Sequence, residues 1–186
     1  IWVNSTCLIK DGVLFGSQNK FYFYSYQDSS LRLLQSLNQE SNFNITQLSL
    51  WNDHTLLCCS RWQGLLLLDL NTGKYSLPPF DCGKEIMNML IDSQNRIAPY
   101  NGGVSCFTHD GTRLASYTTQ NSELNNDVVL SLAEREGKIW IGTDGGGINI
   151  LEPKTGKFTL LEHIPGSDNY SLPANSILCL YNDRNN

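Results

Sequence analysis

Three histidines have the widest chemical range of any residues in this sequence, because imidazole can bind a metal ion or transfer a proton near neutral pH. His54, His109 and His163 are separated by 55 and 54 residues, whereas a zinc motif pairs its ligands a few residues apart. Neither a Gly-x-Ser-x-Gly nucleophile elbow nor a Cys/His catalytic signature occurs. We therefore expect no catalytic residue, no metal site and no cofactor in this chain.

Two further features suggest chemistry: a pair of carboxylates and a glycine-rich segment. Glu134 and Glu136 are close enough in sequence for an acid/base pair, but they flank a predicted solvent-facing hairpin. Segment 144–147, Asp-Gly-Gly-Gly, has the composition of a phosphate-binding loop. The P-loop pattern requires Ser or Thr after a Gly-Lys pair. The Gly-Lys pair that follows this segment, Gly156-Lys157, is followed by Phe158 instead. We interpret 144–147 as a turn between two strands.

The sequence has six cysteines and no C-x-x-C motif. Cys58 and Cys59 are adjacent, so in a strand their side chains point to opposite faces. Cysteines outside a disulfide usually serve as small buried hydrophobes, and that is the role we expect here. A disulfide and a bound metal remain as alternatives.

Composition and charge place the chain among globular proteins. It has 186 residues, of which 40% are hydrophobic and 17% charged, and its formal net charge is −5. An acidic chain without a basic cluster is poorly suited to neutralising phosphates, so we expect no nucleic-acid partner. Its apolar runs are far shorter than the roughly 20 residues of a membrane helix. Ile1-Trp2-Val3-Asn4 does not resemble a signal peptide, and we expect the chain to be a piece of a longer protein.

An internal repeat is the strongest signal in the sequence. Polar turn residues separate two apolar runs at four places that lie 41, 42 and 42 residues apart, namely Gly12, Asp53, Asn95 and Gly137. The second apolar run ends in step with this period, at Gly16-Ser17, Cys59-Ser60 and Gly142-Thr143. Segment 71–75 also matches segment 154–158, two units later. A repeat of this length is typical of solenoids and propellers.

The runs within each unit have the properties of β-strands. They are about five to seven residues long, rich in branched and aromatic residues, and bounded by Gly, Asn and Asp. Four antiparallel strands in roughly 40–45 residues make one β-propeller blade. The sequence predicts an all-β fold, a single partial β-propeller over residues 1–186. Its blades are expected at 1–43, 44–85, 86–126 and 127–175, with a first strand at 176–181 in the start of the next blade, 176–186.

A blade must stack on its neighbours to bury both of its faces. We expect three residues in the layers between blades, each two positions before the end of its second run: Leu14, Leu57 and Trp140.

Two segments resemble the two-component regulator propeller repeat. One runs from Val129-Leu130-Ser131-Leu132 through 136–143, which reads Glu-Gly-Lys-Ile-Trp-Ile-Gly-Thr, to Gly146-Gly147-Ile148. The other, 171–185, resembles the start of the following repeat. The third unit departs most from the pattern, because Pro99 cannot donate a hydrogen bond to an interior ladder.

The resemblance implies a cellular role. Such repeats form the periplasmic sensor of Bacteroides-type hybrid two-component systems, whose parent chains carry a membrane helix and a histidine kinase and respond to glycan-derived oligosaccharides. The expectation is a non-catalytic sensor fragment, periplasmic, partnered by the rest of the parent propeller and sensor chain. A binding surface is expected where the loops between second and third strands meet the loops between blades. Gln18 and Asn19 lie in those loops, and the candidate ligand-binding residues are Arg61, Trp62, Gln63, Asn101, Asp144 and Tyr170.

Two other functions compete with the sensor hypothesis. A propeller can be a scaffold for protein partners, and it can be a lyase or glycosidase, for which Asp144 or Glu136 would have to be essential. The strand predicted at 176–181 would lack its blade, and unpaired edges favour pairing with another copy. We therefore also expect homo-association through that edge.

Overall fold

The structure is a computed structural model that describes residues 3–36, 43–80, 83, 86, 88–94, 97–100, 102–167 and 171–183. The chain divides into two compact units, Ile1–Met87 and Asn88–Asn186. Each unit contains two four-stranded antiparallel sheets whose strands follow one another in chain order. No helix occurs among the described residues, and accordingly none has the length and hydrophobicity to cross a membrane. The prediction of an all-β fold is confirmed.

Sheet 1 and sheet 2 form the first unit. Sheet 1 contains β1 (Ser5–Ile9), β2 (Gly12–Ser17), β3 (Lys20–Ser25) and β4 (Leu31–Ser36). Sheet 2 contains β5 (Ile45–Asn52), β6 (Thr55–Ser60), β7 (Gly64–Asp69) and β8 (Tyr75–Ser76). The predicted ends of the second runs are confirmed here, since β2 ends at Ser17 and β6 at Ser60.

The core of the first unit lies between its two sheets. Strands β1 and β2 pack against β5, and a cluster of buried side chains fills the space: Leu14, Phe21, Phe23, Ile45, Leu48, Leu56, Cys58, Leu66 and Leu68. Gly16 makes this approach possible, because a Cβ there would meet the side chain of Ile45 at 2.7 Å. The expected burial of Leu14 and Leu57 is confirmed.

Sheet 3 opens the second unit. It contains β9 (Asn88–Ile91), β10 (Ile97–Tyr100), β11 (Val104–Phe107) and β12 (Arg113–Tyr117). Strand β10, which contains Pro99, is an interior strand, since it lies between β9 and β11. Pro99 is opposite Met89 of β9. The ladder between β10 and β11 pairs Ile97 with Phe107 and Tyr100 with Val104. The third unit therefore keeps its four strands despite Pro99.

Sheet 4 completes the second unit. It contains β13 (Val129–Arg135), β14 (Lys138–Thr143), β15 (Ile148–Glu152) and β16 (Lys157–Leu161). Strand β13 packs against β9, and the core between sheets 3 and 4 consists of Val104, Leu124, Val129, Ile139, Ile141 and Leu151. Each range expected for a blade contains one of the four sheets, while the extent of the domain as a single partial propeller over 1–186 stays a prediction.

Two expectations need correction, one about the strand at 176–181 and one about Trp140. Residues 176–181 have no strand assignment, because no described segment forms a ladder with them. They follow sheet 4 instead: the Ile177 amide donates to the Thr143 carbonyl at 2.9 Å, and Asn182 Nδ2 donates to the Glu134 carbonyl at 2.7 Å. Trp140 is half-buried rather than sealed in a layer between blades. It faces a cavity of about 290 Å³ that Leu180 also lines.

Candidate functional site

The turn between β6 and β7 contains three of the predicted binding residues, Arg61, Trp62 and Gln63. All three are exposed, and Trp62 presents 45% of its surface to solvent. The Arg61 guanidinium carbon lies 5.2 Å from the centre of the Trp62 ring, a distance at which cation and ring attract each other. The pair offers one aromatic surface with a fixed positive charge beside it.

Hydrogen bonds hold this turn to the start of its own sheet and to sheet 1. The Arg61 amide donates to the Asn44 carbonyl at 3.2 Å, and Asn4 Nδ2 donates to Asn44 Oδ1 at 3.0 Å. The Ile45 amide donates to the carbonyl of Gln18, in the turn between β2 and β3, at 3.1 Å. These bonds fix the turn that contains Trp62 relative to the start of β5 and the turn between β2 and β3.

Asp144 lies in the corresponding turn of sheet 4, between β14 and β15, and its groups are engaged within the protein. Its Oδ1 accepts a hydrogen bond from Ser176 Oγ at 2.7 Å, and its carbonyl accepts one from Asn126 Nδ2 at 2.6 Å. Two glycine amides of the turn, Gly145 and Gly147, donate to the carbonyl of Asn175 at 3.1 and 2.7 Å. The glycine-rich segment is a turn, as predicted, and these amides are used in holding the chain that follows.

Two hydrogen-bonded amide side chains, of which Asn149 is buried and Asn125 exposed, support the same turn. Asn149 is 1% exposed, and its Nδ2 donates to Asn125 Oδ1 at 2.8 Å. Asn125 Nδ2 in turn donates to the Gly146 carbonyl at 2.8 Å. Because buried amides are costly to leave unpaired, this arrangement fixes the shape of the loop end of sheet 4.

The other two predicted binding residues, Asn101 and Tyr170, lie outside the described residues. Arg61, Trp62 and Gln63 belong to the first unit and Asp144 to the second. The structure therefore brings Arg61, Trp62 and Gln63 together in one turn. Asp144 lies in a turn of the other unit.

The acidic residues considered for catalysis do not form a pair. Glu136 is in the turn before β14 and Asp144 in the turn after it, so about 20 Å of strand separates them. Glycosidases require their carboxylates within roughly 10 Å. Glu134 is engaged with Ser93, whose amide donates to Glu134 Oε2 at 2.6 Å. Within the described residues, no group of three or more His, Cys, Asp or Glu side chains could hold a metal ion.

The cysteines confirm part of the expectation made for them. Cys58 and Cys59 are buried and face opposite sides of β6: Cys58 lies in the core of the first unit, and Cys59 Sγ contacts the Ile86 carbonyl at 3.3 Å. Burial raises the pKa of the Cys59 thiol to about 12 and also raises that of Cys58. Cys179, in contrast, is exposed.

Asparagines that precede three of the four sheets are the residues that sequence reasoning missed. Asn4 and Asn44 precede β1 and β5, and Asn126 precedes β13. Asn175 occupies the same place before residue 176, where its carbonyl accepts the two glycine amides of the preceding turn. Their recurrence in step with the repeat is the signal that could have identified them.

Comparison with protein families finds one match. Residues 123–145 match the model of the two component regulator propeller, and these residues include β13, β14 and the turn containing Asp144. Among curated proteins, none matches the sequence.

Solved structures share the fold at low sequence identity. The extracellular domain of hybrid two-component system BT3049 from B. thetaiotaomicron superimposes with a TM-score of 0.75 and 15% identity, over 99% of this chain and 26% of that chain. The extracellular domain of system BT4673 from the same organism superimposes with a TM-score of 0.74 and 17% identity, over 91% of this chain and 22% of that chain. The WD40 β-propeller domain of Doa1 superimposes with a TM-score of 0.59 and 16% identity, over 84% of this chain and 53% of that chain.

The chain spans about a quarter of the length of the two bacterial structures. The four successive four-stranded antiparallel sheets and the likeness in fold to the β-propeller domain of Doa1 confirm the partial β-propeller. The predicted repeat is confirmed over the residues that the family model matches. Residues 123–145 match the two component regulator propeller model, within a chain that has the fold of a partial β-propeller.

Proposed function

We propose that this chain is part of the extracytoplasmic sensor of a hybrid two-component system, and that it senses glycan-derived oligosaccharides in the periplasm. The observation that carries the proposal is the propeller repeat at 123–145. The likeness in fold to extracellular domains of such systems over 99% and 91% of the chain supports it.

In this proposal the chain contributes binding and not catalysis. The separation of Glu136 from Asp144, and the hydrogen bond that occupies Asp144, disfavour a glycosidase or lyase. Any phosphoryl transfer would belong to a histidine kinase elsewhere in the parent chain. The partners of this piece would be the rest of the parent propeller and sensor, without nucleic acid.

The turn containing Arg61, Trp62 and Gln63 is the contact that we propose for the oligosaccharide. A sugar ring has an apolar face and a rim of hydroxyls. The exposed face of Trp62 suits the former, while Arg61 and Gln63 supply donors for the latter. Ligand binding would then favour one arrangement of the sensor over another, and a tenfold population shift requires about 1.4 kcal/mol of differential affinity.

Calorimetric titration of a panel of oligosaccharides into the purified chain tests the proposal. We expect Trp62→Ala to weaken binding of the responding sugar roughly thirtyfold, which corresponds to about 2 kcal/mol. Tyr26→Ala is the matched control, because Tyr26 is an exposed aromatic in the turn between β3 and β4, at the other end of the strands. It should bind as the wild type does.

Two results would contradict this assignment. One is the absence of binding across the panel, and the other is unchanged affinity in Trp62→Ala. Capture of a specific protein through the same turn, with no sugar bound, would favour the scaffold function instead.

A further inference from the structure

A cavity of about 240 Å³ lies inside the second unit, between sheets 3 and 4. Its walls are mostly apolar. They include Leu90, Val104, Cys106, Ala115, Ile139 and Leu151. Leu114, which is half exposed, stands at its edge and leaves a way in from solvent.

The repeat explains why this space is empty. Third strands β3 and β11 each direct alternate residues at the next sheet: Phe21 and Phe23 in β3, and Val104 and Cys106 in β11. Phe23 is 8% exposed and belongs to the core between sheets 1 and 2. Cys106 occupies the corresponding position between sheets 3 and 4. A small thiol therefore stands where the first unit has a phenyl ring.

The neighbouring strand does not compensate for the small residue. Cys106 is paired across the ladder with Ala115 of β12, whereas Phe23 is paired with Arg32 of β4. The guanidinium carbon of Arg32 lies 5.1 Å from the Phe23 ring centre and covers that ring. Two paired small residues, Cys106 and Ala115, thus stand where sheet 1 has an aromatic ring and the guanidinium that covers it.

The size of the gap sets the size of its occupant. Engineered apolar cavities of about 150 Å³ stay dry and bind benzene, so 240 Å³ accommodates one aromatic ring with a small substituent. The Cys106 sulfur and the Tyr117 ring supply contacts that favour an aromatic partner.

An acidic residue in the wall of the cavity, Asp92, restricts which ligands can bind there. Asp92 lines the cavity and is 7% exposed, and its Oδ1 accepts a hydrogen bond from the Gln94 amide at 2.9 Å. A second carboxylate brought beside it would suffer like-charge repulsion at low dielectric. We propose that this cavity binds a neutral single-ring aromatic molecule. This proposal does not depend on the proposed sensor function, since it uses neither Trp62 nor its turn.

Phenol and benzoate are the probes that test this proposal, because they share one ring and differ in charge. We expect phenol at ten times its dissociation constant to raise the folding equilibrium constant about 11-fold, seen as a shift of the urea midpoint. Benzoate should leave the midpoint unchanged. Phenol should also slow alkylation of Cys106, while alkylation of exposed Cys179 keeps its rate.

Variants that fill the cavity provide the decisive comparison. Cys106→Phe places in sheet 3 the ring that Phe23 supplies in sheet 1, and Ala115→Leu fills the gap from the adjacent strand. Each should abolish the response to phenol, and Ala115→Leu decides the outcome if Cys106→Phe does not fold. Cys179→Phe, the same substitution at an exposed site, should respond like the wild type. An unchanged midpoint with millimolar phenol, or an equal response in the filled variants, would overturn the proposal.

Discussion

Individual side chains in this protein take their chemistry from burial more than from charge. The pair Cys58 and Cys59 shows this most clearly, because each thiol lies in an apolar environment on its own face of β6. Loss of water disfavours the thiolate, and burial therefore raises the pKa of Cys59 to about 12 from an ordinary value of 9.0. A thiol that stays protonated is a weak nucleophile.

These two thiols should make the fold sensitive to alkaline pH. In the unfolded chain both thiols release their protons near pH 9, whereas the folded protein holds the Cys59 proton until about pH 12 and also raises the pKa of Cys58. The contribution of these thiols to the free energy of unfolding should therefore be fully present below pH 9 and be lost as the pH rises from 9 towards 12. Urea titrations at a series of pH values measure this slope. The double variant Cys58→Val/Cys59→Val should show a shallower fall, and an equal slope in that variant would contradict the assignment.

At the scale of strands and turns, the hairpins are fixed by a few backbone positions. Gly137 and Gly147 both have a positive φ, +74° and +69°. A Cβ at Gly137 would meet nothing within 4 Å, whereas one at Gly147 would contact the carbonyl of Leu161 and the Cα of Glu162. The two glycines therefore separate the cost of the left-handed backbone from the cost of close packing.

Alanine at these two positions should destabilise sheet 4 to different extents. Gly137→Ala should cost about 1 kcal/mol, the penalty of a left-handed conformation for a residue with a Cβ. Gly147→Ala should cost about 1 kcal/mol or more in addition, because backbone atoms of β16 and the following residue must move. Urea denaturation of both variants measures the difference. Equal losses would show that the contact with β16 is unimportant.

The same elements show what could be read from the sequence. The period of the turn residues located the first hairpin of each sheet. At Glu136-Gly137 the cause is local, because both residues have a positive φ, which a tight hairpin turn requires. The partial burial of Trp140 and the gap beside Cys106 escaped prediction, since both depend on which side chains a second sheet brings against the first. For the binding site, sequence identified the exposed turn at Trp62, but not the hydrogen bond that occupies Asp144.

For the whole molecule, the surface beside sheet 4 suggests self-association. Leu178 and Tyr181 are 78% and 86% exposed, and Tyr181 lines the same cavity as Trp140. Exposed apolar groups clustered in this way favour contact with another chain. We expect the molar mass from light scattering to rise with protein concentration. The double variant Leu178→Ser/Tyr181→Ser should reduce this rise, whereas Leu8→Ser, at an equally exposed site in the first unit, should not. A strict monomer at high concentration would refute the association.

We propose that the chain works outside the inner membrane as part of a sensor, and exposed Cys179 allows a direct test. The measurement is labelling of the parent protein by a membrane-impermeant maleimide in cells whose outer membrane alone is permeable, with Cys179→Ser as the control that loses the label at this site. We expect Cys179 to be labelled while the inner membrane is intact. Labelling that begins only after the inner membrane is broken would place the chain in the cytoplasm and contradict the proposed location.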